Sequence, residues 1–373
     1  MLTRHDLVHP DGRCFHVYGR RGDWDLRAHP PASAVAAGQL HRRFDRRTGA
    51  WVLVAPTRNV RPSSTTTGED RPACPLCPGG GELDGGFALA VFDNRFPALA
   101  TDAPAVSGGD GLVATSRGRC QVVVHTARHV ERATDLSAVE LVGLTTVLRE
   151  RTDALWRAGY RYVMAFENHG PAVGATLPHQ HGQLYALDHL PPVTVVKQAQ
   201  LGRHRAERGS CLGCTIVADD VDSERVLEVG EHFVVAVPFA PRWPYEVQVT
   251  ARRHGTGRLG QLDDAAVLEL SRLLTGVLDR YRGLWDFDLP YMLAVQEAPT
   301  GADGQPEADW HLHVELLPPH RTADRLKVRA SVETVLGTVV NDTVPERTAA
   351  ELRAVPPRER SWSGVAVPTI EAV

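Results

Sequence analysis

The sequence predicts an α+β protein made of two tandem repeats, each an antiparallel sheet with one long helix. Three observations carry this. Short apolar runs that alternate with polar residues recur along the chain, as strands with one buried face do. Two longer stretches, 136–156 and 262–285, place apolar residues at helical spacing instead. The features of the first half then return in the same order in the second: a Cys-x-x-Cys pair, strands, a long helix ending in Leu-Trp, a strand, and a strand that opens on His-x-His. A common order of this kind is the mark of an internal duplication.

Taken in order, residues 1–40 are rich in Gly, Pro, Ala and Arg and predict an irregular arm. WVLVAP, from Trp51, is strand-like. Residues 60–88 are dense in turn formers and predict a loop holding CPLC, 74–77. RCQVVVHTARH (119–129) predicts a strand. LSAVELVGLTTVLRERTDALW (136–156) predicts a helix, with Leu141, Leu144, Leu148 and Leu155 on one face. YRYVMAFE (160–167) and HGQLYAL (181–187) predict strands. After CLGC, 211–214, the stretches 232–239 and 245–254 predict strands. Residues 262–285 predict a helix capped by Asp263, and 291–297 and 311–317 predict the last two strands. The resulting division is an arm over 1–40, an N-terminal repeat over 41–200 and a C-terminal repeat over 201–373.

Composition narrows the function. With 373 residues the chain is long enough for two domains of ordinary size. A net charge of −4 gives no global basic field for nucleic acid, and HRRFDRR at 41–47 is too short to supply one. There is no run of 18 apolar residues for a membrane helix. The N-terminus lacks the apolar core of a secretion signal, so a cytoplasmic location is expected. Four of the six cysteines form the two Cys-x-x-Cys pairs, a spacing typical of metal or redox sites.

Tetrahedral zinc takes four N or S ligands. Cys74 and Cys77 supply two thiolates, and His129 and His179 are the candidate partners. In the second copy Cys211, Cys214, His254 and His311 stand in the corresponding places. Two Cys2His2 zinc sites are therefore expected, both structural, because four protein ligands leave no position for water. A redox pair is the rival reading of either thiol pair taken alone.

The stretch LPHQHGQLYA, 177–186, holds two imidazoles separated by one residue. Alternate residues of a strand face the same side. If His179 binds metal, His181 lies one step further along that side, where neutral imidazole is a competent nucleophile at phosphorus. A backbone carbonyl on its other nitrogen would fix the tautomer. Gly182 permits close backbone approach, and Gln183 returns to the His181 face with an amide that donates to phosphate oxygens. The alternative is that both histidines are metal ligands or packing residues. FENHGPAVGAT (166–176) offers backbone N–H groups and the Asn168 amide to an anion, and Arg58 and Arg61 could neutralise a diphosphate.

With these residues in place, the chain resembles the galactose-1-phosphate uridylyltransferase family, a branch of the histidine-triad superfamily built from two fused histidine-triad-like repeats. The likeness runs from about Leu40 to Val355. It rests on HRRFDRRTGAWVLVAPTRNVRP, CPLCPG, VFDNRFPAL, FENHGPAVGATLPHQHGQ, WPYEVQV and WHLHVELLPP. The resemblance implies that UDP-glucose gives its uridylyl group to a histidine and that a hexose-1-phosphate, galactose-1-phosphate in the family, takes it up. It places His181 on the nucleophile and Gln183 on the residue that bonds the transferred phosphoryl group. Cys74, Cys77, His129 and His179 fall on zinc ligands. Arg58, Arg61, Asn94, Asn168, Gly174 and Thr176 fall on nucleotide- and phosphate-binding positions. Lys327 and Glu333 fall on a hexose-contacting segment that, with one arginine, comes from the partner subunit, which implies a homodimer.

There are departures. Many members write the central triplet His-Pro-His; here Gln180 stands between the imidazoles. A second metal site formed in some members by one Glu and three His maps onto Lys197, Gln296, His313 and Glu315, so that site is expected to be absent. Val332 and Val339 replace polar or aromatic residues around the hexose, which opens the choice of sugar. Two alternatives follow: a phosphorylase or related nucleotidyltransferase acting on another nucleotide sugar or a dinucleoside polyphosphate, and a non-catalytic zinc-stabilised nucleotide-binding protein.

Overall fold

The computed structural model describes residues 1–9, 11–19, 40–60, 74–83, 85–106, 110–285, 287–301 and 303–373. β1 (Leu2–Val8), β2 (Cys14–Gly19), β3 (His41–Asp45), β4 (Ala50–Val54), β5 (Leu89–Asp93), β6 (Val113–Thr115) and β7 (Gly118–Val124) precede the first long helix, α1 (Ala138–Arg157). β8 (Tyr162–His169) and β9 (His181–Leu187) follow. α2 (Pro192–Arg208) and α3 (Leu212–Val221) lead to β10 (Val226–Val229), β11 (Phe233–Ala236), β12 (Val247–Ala251), α4 (Asp264–Leu284), β13 (Tyr291–Gln296) and β14 (His313–Leu317). The chain closes with β15 (His320–Thr322), β16 (Arg325–Leu326), α5 (Ser331–Leu336), α6 (Pro345–Ala354) and β17 (Ile370–Ala372).

Twelve strands form one sheet in the order β10-β11-β12-β14-β13-β8-β9-β7-β5-β2-β1-β17. Neighbours are antiparallel except β1 with β17. The duplication is visible in that order. β5-β7-β9-β8 of the first half is mirrored by β11-β12-β14-β13 of the second, and the halves meet where β8 pairs with β13, His169 opposite Tyr291 and Asn168 opposite Met292. Equivalent edge strands thus pair with each other, which removes two exposed sheet edges at once.

The helices form as their sequences dictate. Ser137 and Glu140 make a capping box at the start of α1: Glu140 N donates to Ser137 Oγ at 3.3 Å, and Ser137 N donates to Glu140 Oε2 at 2.8 Å. Asp263 Oδ1 accepts from Ala266 N at 2.9 Å and caps α4, a contact worth about 1 kcal/mol. α1 and α4 pack on each other over one face of the sheet, where Ser271 Oγ donates to Thr145 Oγ1 at 2.8 Å. One core runs through both halves, from Val142, Val163 and Leu184 to Leu270, Val295 and Val314.

The first residues differ from expectation. The irregular arm predicted over 1–40 is a hairpin through residue 19: β1 and β2 pair from Thr3 with Gly19 to Val8 with Cys14, and β2 joins β5. Phe15 and Val17 alternate into the core, a short period-2 signal masked by the Gly, Pro and Arg around it. α2 was also not expected. It buries only Thr194 and Leu201, so no apolar stripe marks it; Pro192 in its first turn is the one local sign. Predicted strand ends ran long. β7 stops at Val124 and β12 at Ala251, leaving His129 and His254 in the turns beyond.

Candidate functional site

Cys74, Cys77, His129 and His179 bring their ligand atoms within 4.8 Å of one another. Cys77 Sγ lies 3.2 Å from His129 Nδ1 and 3.4 Å from His179 Nδ1, and Cys74 Sγ lies 3.6 Å from His179 Nδ1. The other nitrogen of His179, Nε2, bonds the Thr126 carbonyl oxygen at 2.9 Å, which fixes the tautomer and points Nδ1 at the thiols. Cys77 N donates to Cys74 O and Gly80 N to Cys77 O, a turn so tight that a Cβ on Gly80 would fall 1.9 Å from the Cys74 carbonyl oxygen. Burial and the neighbouring Cys74 push the Cys77 thiol up to about 11; two crowded thiols of this kind ionise together only against a cation.

The second set, Cys211, Cys214, His254 and His311, meets the same 4.8 Å limit. His311 Nε2 lies 3.6 Å from Cys211 Sγ and 3.5 Å from Cys214 Sγ, while its Nδ1 bonds the Ala251 carbonyl oxygen at 2.7 Å. Burial raises the Cys211 thiol above its ordinary value, against the backbone N–H of Cys214 at the start of α3, which favours the thiolate. The His311 ring packs against Gly213, whose place admits no side chain: an added Cβ would lie 2.4 Å from the ring. Two sulfurs and two oriented nitrogens in each set fit a tetrahedral metal ion.

β9 carries the reactive face. Its exposure alternates: Gly182, Leu184 and Ala186 are buried, while His181, Gln183 and Tyr185 face a cavity of about 280 Å³. His181 Nδ1 donates to the His179 carbonyl oxygen at 2.8 Å, so Nε2 keeps its lone pair. Gln183 Oε1 is buried without a protein donor among the described residues. Gly182 runs close to β8; a Cβ there would sit 3.1 Å from the Phe166 carbonyl oxygen and 3.3 Å from His125 Nε2.

Arg58, Asn94, Asn168, Gly174 and Thr176 line the same cavity as His181 and Gln183. Arg58 Nη1 donates to the Phe96 carbonyl oxygen and to Tyr185 Oη, at 3.1 and 3.2 Å, which holds the guanidinium in the cavity wall. Arg61 lies outside the described residues. Lys327 and Glu333 are not in this wall. They pair with each other, Lys327 Nζ to Glu333 Oε1 at 2.9 Å, and Lys327 also donates to the Val340 carbonyl oxygen. The remaining wall is largely aromatic and apolar, including Phe92, Phe96, Phe166, Val122 and Tyr185, with the charged Arg95 and Glu82. Sequence reasoning missed these. Tyr185 was within reach of it, being two residues beyond Gln183 on the same strand face; the others converge only in the folded sheet.

Residues 32–191 match the N-terminal domain of galactose-1-phosphate uridyl transferase, and residues 197–364 match its C-terminal domain. The chain belongs to the galactose-1-phosphate uridylyltransferase family. It is 35% identical to the galactose-1-phosphate uridylyltransferase of Thermotoga maritima over 318 residues, 84% of this chain and 98% of that protein. It is 34% identical to the enzyme of Streptomyces lividans over 315 residues, 81% of this chain and 84% of that one. A solved uridylyltransferase superposes with a TM-score of 0.76 at 29% identity, covering 85% of this chain and 98% of its own. An Arabidopsis thaliana ADP-glucose phosphorylase with bound ADP-glucose shares the fold at a TM-score of 0.65 and 22% identity, over 85% and 99% of the two chains.

Within the uridylyltransferase frame the second half holds a closed counterpart of the His181 site. His313 stands to His311 as His181 stands to His179, with its Nδ1 on the His311 carbonyl oxygen at 2.8 Å. Its Nε2 meets an ammonium. Lys197 Nζ lies 2.9 Å from that nitrogen and 2.8 Å from Glu315 Oε1, while Glu315 Oε2 takes Arg242 at 2.9 Å and Gln296 at 3.2 Å. The ammonium of Lys197 thus lies between His313 and Glu315, two of the residues at the positions expected for the second family metal site. Burial opposes the charge on Glu315, but Lys197, His313 and Arg242 together pull it down to about 2; burial, with Lys197 beside it, pushes His313 down to about 4. A carboxylate depressed from an ordinary 4.5 adds stability above that pH and loses it as pH falls toward 2. Lys197→Met is expected to lower unfolding free energy by roughly 3 kcal/mol at pH 7, the scale for breaking a buried pair. Urea unfolding at pH 7 and pH 3 should show the difference shrinking at the lower pH. A penalty of the same size at both would refute this account.

Proposed function

We propose that this protein transfers a uridylyl group from UDP-glucose to galactose-1-phosphate through a covalent uridylyl–His181 intermediate. His181 Nε2 attacks the α-phosphorus of UDP-glucose. The N–P bond forms, the bond to the bridging oxygen breaks, and glucose-1-phosphate leaves. A phosphate oxygen of galactose-1-phosphate then attacks the same phosphorus, the N–P bond breaks, and UDP-galactose departs with His181 restored. Two displacements let each sugar phosphate meet the nucleotide separately. Gln183 and Asn168 serve the phosphoryl oxygens, with Arg58 and Arg61 neutralising the diphosphate. Asn94, Gly174 and Thr176 seat the nucleotide, and the aromatic wall receives the base. The observation that supports this most directly is the His181 ring itself: Nδ1 bonds the His179 main-chain carbonyl, which assigns the lone pair to Nε2, and the ring stands in the wall of the cavity it shares with Gln183 and Asn168.

Zinc is the metal that two thiolates and two imidazoles fit best. In this reading it has a structural part at both sites, holding His179 next to the nucleophile at the first. The thiols are free of disulfides, which suits a reducing compartment such as the cytoplasm. A homodimer is favoured by the segment after β14. Lys327 and Glu333 stand outside their own cavity, and α5 buries none of its residues while Val328, Val335 and Leu336 are each more than 70% exposed. In a dimer that segment would complete the partner's sugar site. Sedimentation of the wild-type protein should give a dimer, dissociated by Val335→Glu with Leu336→Glu; a wild-type monomer that is fully active overturns it.

Val332 and Val339 favour one second reading, transfer to phosphate or to another sugar phosphate, since neither side chain can hydrogen-bond a hydroxyl. A panel of UDP- and ADP-sugars against several sugar-1-phosphates and inorganic phosphate separates the two. The proposal expects UDP-glucose and galactose-1-phosphate to give the highest kcat/KM, and an acid-labile, base-stable label on the protein from UDP-glucose labelled at the α-phosphate. A preference for ADP-glucose with phosphate would replace it. No label and no turnover would leave a zinc-stabilised nucleotide-binding protein.

A further inference from the structure

We propose that Gln180 is a positioning residue for the nucleophile, locking the peptide that orients the His181 ring through a buried network that reaches the second repeat. This rests on His181 as the nucleophile. The carbonyl that accepts from His181 Nδ1 belongs to His179, so it lies in the same planar unit as the Gln180 N–H. That N–H donates to the Val130 carbonyl oxygen at 2.8 Å. Tilting the plane breaks both bonds at once and turns the imidazole off its line to phosphorus.

The plane is held from the side chain. Gln180 is 3% exposed, and a buried amide must find partners. Its Nε2 donates to Glu167 Oε1, and the Tyr291 hydroxyl donates to the same oxygen. Glu167 is on β8; Tyr291 is on β13, across the seam between the two half-sheets. The Tyr291 ring stacks on His169 with centroids 5.0 Å apart, and His169 Nε2 is bonded to Asp288 Oδ2 at 2.8 Å. Many family members have proline at this position, which stiffens the chain by its ring. Here a side-chain network spanning both repeats supplies the stiffness. The alternative, that Gln180 merely fills the core, would make its loss a matter of stability and metal content, with no selective effect on turnover.

Kinetics separate the two. Gln180→Ala and Tyr291→Phe are expected to lower kcat for exchange between UDP-glucose and glucose-1-phosphate by about 10- to 100-fold and about 5- to 10-fold, the scale of a misplaced reacting group. KM for UDP-glucose should stay within about twofold and the metal-to-protein ratio at the wild-type value. Because both act through Glu167, the double variant should fall no more than about twofold below Gln180→Ala alone. Multiplying losses, unchanged kcat in Tyr291→Phe, or a kcat loss matched by lost metal would each overturn the proposal. Tyr291→Phe, conservative in shape and outside both Cys2His2 sets, decides the matter even if Gln180→Ala folds poorly. His181→Gly run alongside keeps the two readings apart. If it retains exchange, the nucleophile is wrong. If it loses exchange while the network variants do not, only the role of Gln180 falls.

Discussion

His181→Gly is expected to abolish uridylyl exchange between UDP-glucose and glucose-1-phosphate, a loss of roughly 10⁴- to 10⁶-fold, the scale for removing a covalent nucleophile. Without the imidazole the only route left is direct attack of one sugar phosphate on a nucleotide sugar bearing a diphosphate. That route brings two anionic groups together at one phosphorus in a single step, a crowding of charge that Arg58 offsets only in part. The metal content should not change. His179 is oriented by the Thr126 carbonyl oxygen and by the thiols, and none of those contacts involves the His181 side chain. Isotope exchange and metal analysis on the same preparation test both halves. Retained exchange at even a hundredth of the wild-type rate would rule out the double displacement at this residue.

Removing the metals is expected to separate the two Cys2His2 sites. Apparent binding energies of structural zinc run at about 10–16 kcal/mol, and in a domain of a few hundred residues 1 kcal/mol moves the thermal midpoint by about 2 °C. A strong chelator should therefore lower the midpoint by about 10 °C or more. Single ligand variants should then differ in kind. Cys77→Ser frees His179, the residue whose carbonyl orients the nucleophile, and should cost about 10- to 100-fold in kcat as well as one metal equivalent. Cys214→Ser frees His311, whose carbonyl orients only His313, a ring already engaged by Lys197. It should cost a metal equivalent and stability, while kcat at a temperature where the variant is folded stays within about twofold. Equal kcat losses in the two variants would refute the separate roles.

Much of this was legible in the residues. Period-2 and helical patterns placed the main strands and both long helices, because each has one face in a shared core. Spacing alone grouped both ligand sets, because a metal demands four particular donors and the chain supplies them in the same order twice. The hairpin of residues 2–19 was not legible, because its alternation spans too few residues to stand above its Gly- and Arg-rich surroundings. α2 was not, because its helical state is supported by Lys197 meeting Glu315 and by Arg205 meeting Asp309, contacts more than a hundred residues away in sequence.

The sequence by itself determined the duplication, the two sets of sulfur and nitrogen donors, and the strand from His181 with Gln183 on its face, although His179 and His311 precede the strands that their pairs were expected to open. Each depends on local periodicity or on residue chemistry, which the linear order preserves. Tertiary structure alone decided what each of the two His-x-His motifs faces. His181 meets an open pocket walled by Phe92, Phe96 and Phe166, and His313 meets the ammonium of Lys197. It also decided that Gln180 is braced from the opposite repeat, by Tyr291 across the β8–β13 seam. Both outcomes turn on contacts between segments remote in sequence, and no periodicity of either segment encodes its partner.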